Sequence, residues 1–264
     1  AGTGKTVLAI YMIKLLSEIG KKDIVIDDEI DVERLEDREN LQKLAGMKIG
    51  LVVPMQSLRS TVKKVFKSMG GLRQNMVLSP MDVPKDRFDL LIVDEAHRLR
   101  QRKALSHYPS FDNNNKKLGL DNSGTELDWI LKSSKNQIFF YDSMQSVKPS
   151  DVDRVRFEDL EKNANYQFEL TSQLRCTGGN DYIDYVKKVL SDRPPASKKD
   201  FDKYDFKIFD DVDDMVKAIK AKNAEMDLCR VVAGYSWKWQ SKTNPELNDV
   251  IIDHYEYKWN MVNK

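Results

Sequence analysis

Three short, mainly apolar runs stand out in the first 141 residues, at 49–53, 90–93 and 137–141. Segments with apolar residues at helical spacing accompany them, and two of these, 6–19 and 57–69, predict helices. A continuous apolar run is typical of a strand that is buried on both faces. The pattern therefore predicts an α/β fold in which helices cover both faces of a parallel sheet.

The second half of the chain carries a further series of the same kind. Helical spacing predicts helices at 180–190 and 212–219, and apolar runs predict strands at 206–209 and 230–233. This series starts near Thr171, where we expect a second domain to begin.

The length of 264 residues is enough for two ordinary domains. We predict a first domain at 1–170 and part of a second at 171–264. Residues 98–124 include three consecutive asparagines and several turn formers, which predicts a long surface insertion in the first domain.

The composition limits the classes of function. With 41% hydrophobic and 32% charged residues, the chain has the material for a sizeable core. A net charge of +1 excludes a global field toward DNA or an acidic membrane, so any nucleic-acid contact must come from a local patch. No apolar stretch approaches the ~20 residues of a membrane span. The cysteines, Cys176 and Cys229, lack metal-ligand spacing, which favours a reducing compartment, and we expect a cytoplasmic protein without membrane contact.

The first six residues, AGTGKT, have the character of a phosphate-binding loop. Glycines let the backbone N–H groups curl toward phosphate oxygens, and the helix that follows turns its positive end toward the anion. A lysine then serves the β- and γ-phosphates, and a hydroxyl serves Mg²⁺. The predicted nucleotide-binding residues are Gly2, Thr3, Gly4, Lys5 and Thr6. The alternative is a glycine-rich helix start that carries a lysine.

The apolar run at 90–93 ends in two carboxylates, Asp94 and Glu95. The end of a parallel strand lies at the carboxyl edge of the sheet, where a phosphate loop also lies. Asp94 is therefore predicted to hold Mg²⁺ through water, and Glu95 to polarise the attacking water. His97 either couples these groups to a neighbouring loop or has a structural role. The alternative for the whole segment is a strand that ends in a polar turn.

The third apolar run, at 137–141, is also followed by polar residues, among them Gln145. A glutamine amide both donates and accepts hydrogen bonds, so Gln145 is predicted to sense either the γ-phosphate or the attacking water. The alternative is a solvated glutamine in a loop.

Six segments together resemble a bacterial family of superfamily 1 helicase-like ATPases that is related to the helicase-like region of the Schlafen proteins. In chain order they are AGTGKT, VVPMQSL, LLIVDEAHRL, FFYDSMQSV, QLRCTGGNDYI and VVAGYSWKW. The resemblance covers nearly the whole chain. It implies a RecA-like P-loop fold with two domains and ATP between them.

The resemblance also assigns roles that the residues alone do not suggest. Arg175 matches the arginine that opens the second domain and reaches the γ-phosphate; the alternative is an ion pair with Asp181. Pro54, Gln56 and Ser57 match the segment that touches single-stranded nucleic acid in helicases.

Two departures from the family pattern bear on the extent of the chain. The first glycine of the phosphate-loop pattern would precede Ala1, and the later H-T-x-Q-G-Y segment and the final arginine motif are missing. We therefore expect a fragment, and we do not expect this fragment alone to hydrolyse ATP. A fused effector domain would lie outside these residues.

A local basic run comprises Arg98, Arg100, Arg102 and Lys103. Arg98 and Arg100 are predicted to contact a phosphate backbone, and the alternative is a solvated charged face.

Two classes of function follow. The first is an ATP-hydrolysing motor that acts on single-stranded DNA or RNA. The second is a signalling module in which ATP closes two domains without strand translocation.

Overall fold

A computed structural model describes residues 3–19, 44, 46–145, 148–170, 178–201, 204–234 and 236–259. The chain divides into two compact units, Ala1–Pro194 and Pro195–Lys264. Among the residues described, no helix is both long enough and apolar enough to cross a membrane.

The first unit alternates strands and helices along most of its length. Its strands are β1 (Ile49–Val52), β2 (Val77–Leu78), β3 (Phe88–Val93) and β4 (Ser134–Phe139). Its helices are α1 (Lys5–Glu18), α2 (Gln56–Ser68), α3 (Tyr108–Lys117), α4 (Glu126–Ser133), α5 (Arg154–Lys162) and α6 (Gly179–Val189). Short 3₁₀ turns lie at Gln74–Met76, Pro80–Lys85, Ala96–Arg98 and Ser143–Gln145.

The four strands form one parallel sheet in the order β2-β1-β3-β4. In the register, Leu51 of β1 is opposite Ile92 of β3, and Ile92 is opposite Ile138 of β4. The three strands predicted from the apolar runs at 49–53, 90–93 and 137–141 are thus confirmed, and so is the α/β class with a parallel sheet flanked by helices.

Successive residues of the central strands pack into two separate cores, because side chains alternate between the faces of a sheet. Leu51 and Ile92 pack with α1 and α2, whereas Val52 and Val93 pack with α4 and α5. The helical residues in these cores are Ala9, Ile13, Val62 and Phe66 on one face, and Leu127, Ile130 and Phe157 on the other. Burial on both faces explains why the strands have no polar alternation.

The segment 98–124, predicted as a surface insertion, contains helix α3 and buries several side chains. Leu99 and Phe111 are buried, and the Phe111 ring lies 4.5 Å from the ring of Trp129 in α4. The buried Asn115 accepts a hydrogen bond from Trp129 Nε1 at 2.6 Å and donates Nδ2 to the carbonyl of Gly124 at 3.1 Å. The segment therefore contributes to the packing of the first unit.

The second unit contains helix α7 (Val212–Met226) and an antiparallel hairpin of β5 (Val250–Ile252) and β6 (Tyr255–Tyr257). The helix predicted at 212–219 is confirmed and is longer than expected. The strands predicted at 206–209 and 230–233 are wrong, because these residues form no sheet ladder and Ile208 and Val232 are strongly exposed. An apolar run becomes a strand only where a neighbouring strand pairs with it. The domain boundary at 170/171 stays a prediction.

The Asn115 contacts predict a specific stability difference within α3. Asn115→Ala leaves the Trp129 N–H and the Gly124 carbonyl without their buried partner, which should lower the free energy of unfolding by about 1–3 kcal/mol. Asn113→Ala is the matched control, because the exposed Asn113 lies on the same helix. Chemical denaturation of both variants measures the difference. Equal losses of stability would contradict the role of the buried amide.

Candidate nucleotide site

Three parallel strands end at one edge of the sheet, and a carboxylate follows two of them. Pro54 follows β1, Asp94 follows β3, and Asp142 follows β4. The amino end of α1 contributes Lys5 and Thr6 at the same place, because Thr6 contacts Asp94 and Lys5 contacts Asp142. Residues from three distant parts of the sequence, at the start of α1 and after β3 and β4, therefore share one site.

The closest link in the site joins the first and third predicted segments. Thr6 Oγ1 donates a hydrogen bond to Asp94 Oδ2 at 2.6 Å, and 88 sequence positions separate the two residues. Asp94 Oδ1 accepts the backbone N–H of Glu95 at 3.0 Å. The hydroxyl and the carboxylate that were predicted to serve one cation are thus in direct contact.

Asp94 is fully buried, although its side chain is acidic. Burial raises the pKa of Asp94, and the hydrogen bond from Thr6 opposes this shift. A carboxylate in such surroundings is stabilised by a nearby cation. Hydroxyl and carboxylate oxygens are also the ligands that Mg²⁺ prefers, so Thr6 and Asp94 fit that ion.

Glu95 adopts a left-handed backbone conformation, with φ 51° and ψ 45°. This conformation is unusual for a residue with a side chain, and such residues are frequent at functional sites. The turn lets the N–H of Ala96 donate to the carbonyl of Phe140 at 2.9 Å. The ends of β3 and β4 are thereby joined beyond the sheet ladder.

His97 is fully buried beside Glu95, with Nε2 2.9 Å from Glu95 Oε2. This contact lowers the pKa of Glu95, and the charges of His97, Lys5 and Arg98 act in the same direction against the effect of burial. Neither ring nitrogen of His97 reaches full hydrogen-bond geometry with a described residue. The ring also lies edge-on to Tyr141, with centroids 6.4 Å apart, so His97 contacts the segment that follows β4.

The amino end of α1 suits an anion. Gly4 precedes the helix with φ 82° and ψ 12°, a left-handed conformation that glycine adopts without strain. Gly4 has no side chain with which to cap α1, so it leaves the first N–H groups of the helix open. A helix start of this kind binds phosphate through its N–H groups and its dipole.

Asp142 is a site residue that sequence reasoning missed. Its Oδ2 lies 3.7 Å from Lys5 Nζ and accepts a hydrogen bond from Gln145 Nε2 at 2.6 Å. The carboxylate thus connects the predicted phosphate-loop lysine to the predicted third-segment glutamine. The only signal in the sequence was its position directly after an apolar run.

The residues predicted to touch nucleic acid lie between β1 and α2. Pro54 is half-buried, whereas Gln56 and Ser57 are exposed at the first turn of α2. Arg59, which sequence reasoning did not select, donates Nη1 to the carbonyls of Val53 at 2.7 Å and Pro54 at 3.3 Å. This arginine holds the turn that presents the two exposed side chains.

The structure pairs the predicted basic residues with carboxylates of the same unit. Arg98 Nη1 lies 3.4 Å from Asp151 Oδ2. Arg100 donates Nε and Nη2 to Glu126 Oε1 at 3.0 and 2.7 Å, and its backbone N–H donates to Oε2 at 2.9 Å. Glu126 is fully buried, and burial raises its pKa against the opposing effect of Arg100. Both arginines therefore have structural partners, and their nucleic-acid role stays a prediction.

Two of the predicted site residues, Gly2 and Arg175, lie outside the described residues. Thr3 is described and is half-buried before α1. Within the described ranges, no group of three or more His, Cys, Asp or Glu residues could hold a metal. A magnesium site built from one hydroxyl, one carboxylate, waters and phosphates does not require such a group.

The model of one protein family, described as the Schlafen group 3 DNA/RNA helicase domain, matches residues 1–264. The chain belongs to this family. The resemblance inferred from the six segments is thereby confirmed. The comparisons with curated proteins and with solved structures give no match. Because the match spans residues 1–264, the sheet edge described above lies inside the helicase-like region.

The arginine pairs of this Schlafen group 3 domain predict a contrast in stability. Arg100→Ala leaves the buried Glu126 without its charge partner, which should cost about 3–5 kcal/mol of unfolding free energy. Arg102→Ala is the matched control, because Arg102 also donates Nε and Nη2 to a carboxylate, that of the more exposed Asp112, and should matter far less. Urea unfolding at neutral pH measures both. A small effect of Arg100→Ala would leave Arg100 available for a nucleic-acid role.

Proposed function

We propose that this helicase domain binds ATP with Mg²⁺ and hydrolyses it in a nucleic-acid-dependent manner, on a RecA-like P-loop fold. The observation that carries the proposal is the 2.6 Å hydrogen bond between Thr6 and Asp94. It joins the predicted phosphate loop to the predicted metal carboxylate, as a Mg²⁺-nucleotide site requires. Membership of a helicase domain family supports the same reaction class.

In this proposal the phosphate loop holds the triphosphate. The N–H groups at the start of α1 and the Gly2–Gly4 backbone bind phosphate oxygens, and Lys5 offsets the charge of the β- and γ-phosphates. Thr6 and Asp94 would hold Mg²⁺, Asp94 through water. When bound, the ion would supply positive charge beside the phosphates.

Glu95 is the proposed group that polarises the attacking water. A general base must be ionised at the working pH, and the contact with His97 lowers the pKa of Glu95. Burial shifts the pKa of the neighbouring Asp94 in the opposite direction, upward. Two adjacent carboxylates with opposite shifts are typical of sites where each has a different role.

The proposed stimulus is single-stranded DNA or RNA, taken up near Gln56 and Ser57. Their exposure at the first turn of α2, beside the same sheet edge as Asp94, supports this location. Arg175 is proposed to offset charge on the γ-phosphate when the two domains close, as the family pattern implies.

The first prediction of this proposal separates binding from chemistry in the full-length protein. Glu95→Gln keeps the shape of the side chain but removes the charge that polarises water. Turnover should fall by a factor on the order of 10² or more, while the Kd for ATP stays within a few-fold. Lys5→Ala should abolish both ATP binding and turnover, because the lysine holds the phosphates in the bound state and during the reaction. If Glu95→Gln lost affinity and turnover together, Glu95 would be a structural residue or a direct metal ligand.

The second prediction concerns nucleic acid. A labelled single strand should bind the full-length protein more weakly as salt rises, since phosphate contacts release counterions, and it should stimulate ATP hydrolysis. Ser57→Ala should weaken binding by roughly two- to tenfold, the factor that one hydrogen bond contributes. Ser68→Ala, at the far end of α2, is the matched control. ATP hydrolysis without any binding at low salt would favour the ATP-gated signalling module instead.

A further inference from the structure

Among its contacts with described residues, one carboxylate in the site joins two side chains from different segments. Asp142 Oδ2 lies 3.7 Å from Lys5 Nζ and 2.6 Å from Gln145 Nε2. The side chains of Lys5 and Asp142 are only 12% and 15% exposed, so water screens their attraction weakly. The loop after β4 is thus held against the amino end of α1.

The chemistry of this contact fixes the orientation of the Gln145 amide. An ionised carboxylate only accepts hydrogen bonds, so the amide atom at 2.6 Å must be the NH₂ group. Burial alone would raise the pKa of Asp142, but the hydrogen bond from Gln145 and the charge of Lys5 are among the interactions that lower it, so the carboxyl stays ionised. The amide oxygen, Oε1, is therefore the end of Gln145 that is not held by Asp142.

We propose that Asp142 is a positioning residue that turns Gln145 Oε1 outward to accept a hydrogen bond from the attacking water. The inference rests on the proposed ATP hydrolysis and gives Gln145 one of its two possible roles. A sensor of the γ-phosphate would instead use the second N–H of the same NH₂ group, because phosphate oxygens only accept hydrogen bonds, whereas Oε1 suits a donor such as water.

The ion pair between Lys5 and Asp142 is the second contact that holds the loop after β4 in place. Lys5 is the proposed partner of the β- and γ-phosphates, and it also contacts Asp142. The lysine thus fixes the distance between the phosphates and the loop that carries Gln145.

The decisive experiment is a double-variant cycle in the full-length protein, with Asp142→Asn, Gln145→Glu and the combination of both. Gln145→Glu keeps an oxygen that can accept from water, but it sets two carboxylates against each other. In the combination, the introduced amide at 142 can donate to the introduced carboxylate at 145, which restores the hydrogen bond with donor and acceptor exchanged.

Each single variant should lower kcat by about ten- to a hundredfold, the factor that corresponds to one hydrogen bond to a charged group. The Kd for ATP should change much less, and the combination should recover most of the lost kcat. Asp159→Asn, on the exposed face of α5, removes one carboxylate outside the site and controls for net charge. A combination as slow as Gln145→Glu alone would overturn the role, because a phosphate-sensing amide cannot be rescued in this way.

Thermal unfolding of the wild-type protein, the two single variants and their combination, all without nucleotide, gives an independent readout. Gln145→Glu should destabilise the protein, and Asp142→Asn should relieve that loss, since the two side chains are in contact. Additive effects would overturn the inferred contact. A wild-type protein that does not hydrolyse ATP would instead overturn the proposed function, and with it the role of Gln145, even where the unfolding cycle shows the contact.

Discussion

The parallel pairing of β3 with both β1 and β4 is the constraint on which the candidate site depends. Parallel strands all end at the same edge, so the polar residues that follow them converge whatever their distance along the chain. Leu51, Ile92 and Ile138 are in register, and each of their strands ends within two residues of that row. Helix α1, packed on one face of the sheet, then brings Thr6 to Asp94. The cores on the two faces hold this register against any slip.

The sheet and the main carboxylates could be predicted because their signals are local. A strand buried on both faces has a continuous apolar run, and Asp94 and Glu95 follow such a run directly. The role of Asp142 could not be predicted in this way. Its partners, Lys5 and Gln145, are known only after the sheet has set α1 beside the loop of β4. The strands predicted at 206–209 and 230–233 fail for a related reason. An apolar run indicates a strand, but it does not show whether another strand is present to pair with it.

The basic run at 98–103 shows how little a cluster of like charges says about its partners. Arg98, Arg100 and Arg102 face Asp151, Glu126 and Asp112, which lie elsewhere in the sequence. Glu126 is buried, and an unpaired buried charge is costly. Its ion pair with Arg100 therefore matters more for stability than an ion pair at the surface. The charges that bind within a protein and those that bind nucleic acid therefore look alike until the fold is known.

The left-handed backbone at Glu95 has a consequence for protein engineering. A side chain in this conformation costs of order 1–3 kcal/mol, a strain that glycine would not carry. A search for thermostable variants that scores folding alone would therefore favour glycine or asparagine at this position. Such a variant would keep the sheet and both cores while losing the carboxylate. Selection for stability at this position would thus remove the group to which the proposed hydrolysis is assigned.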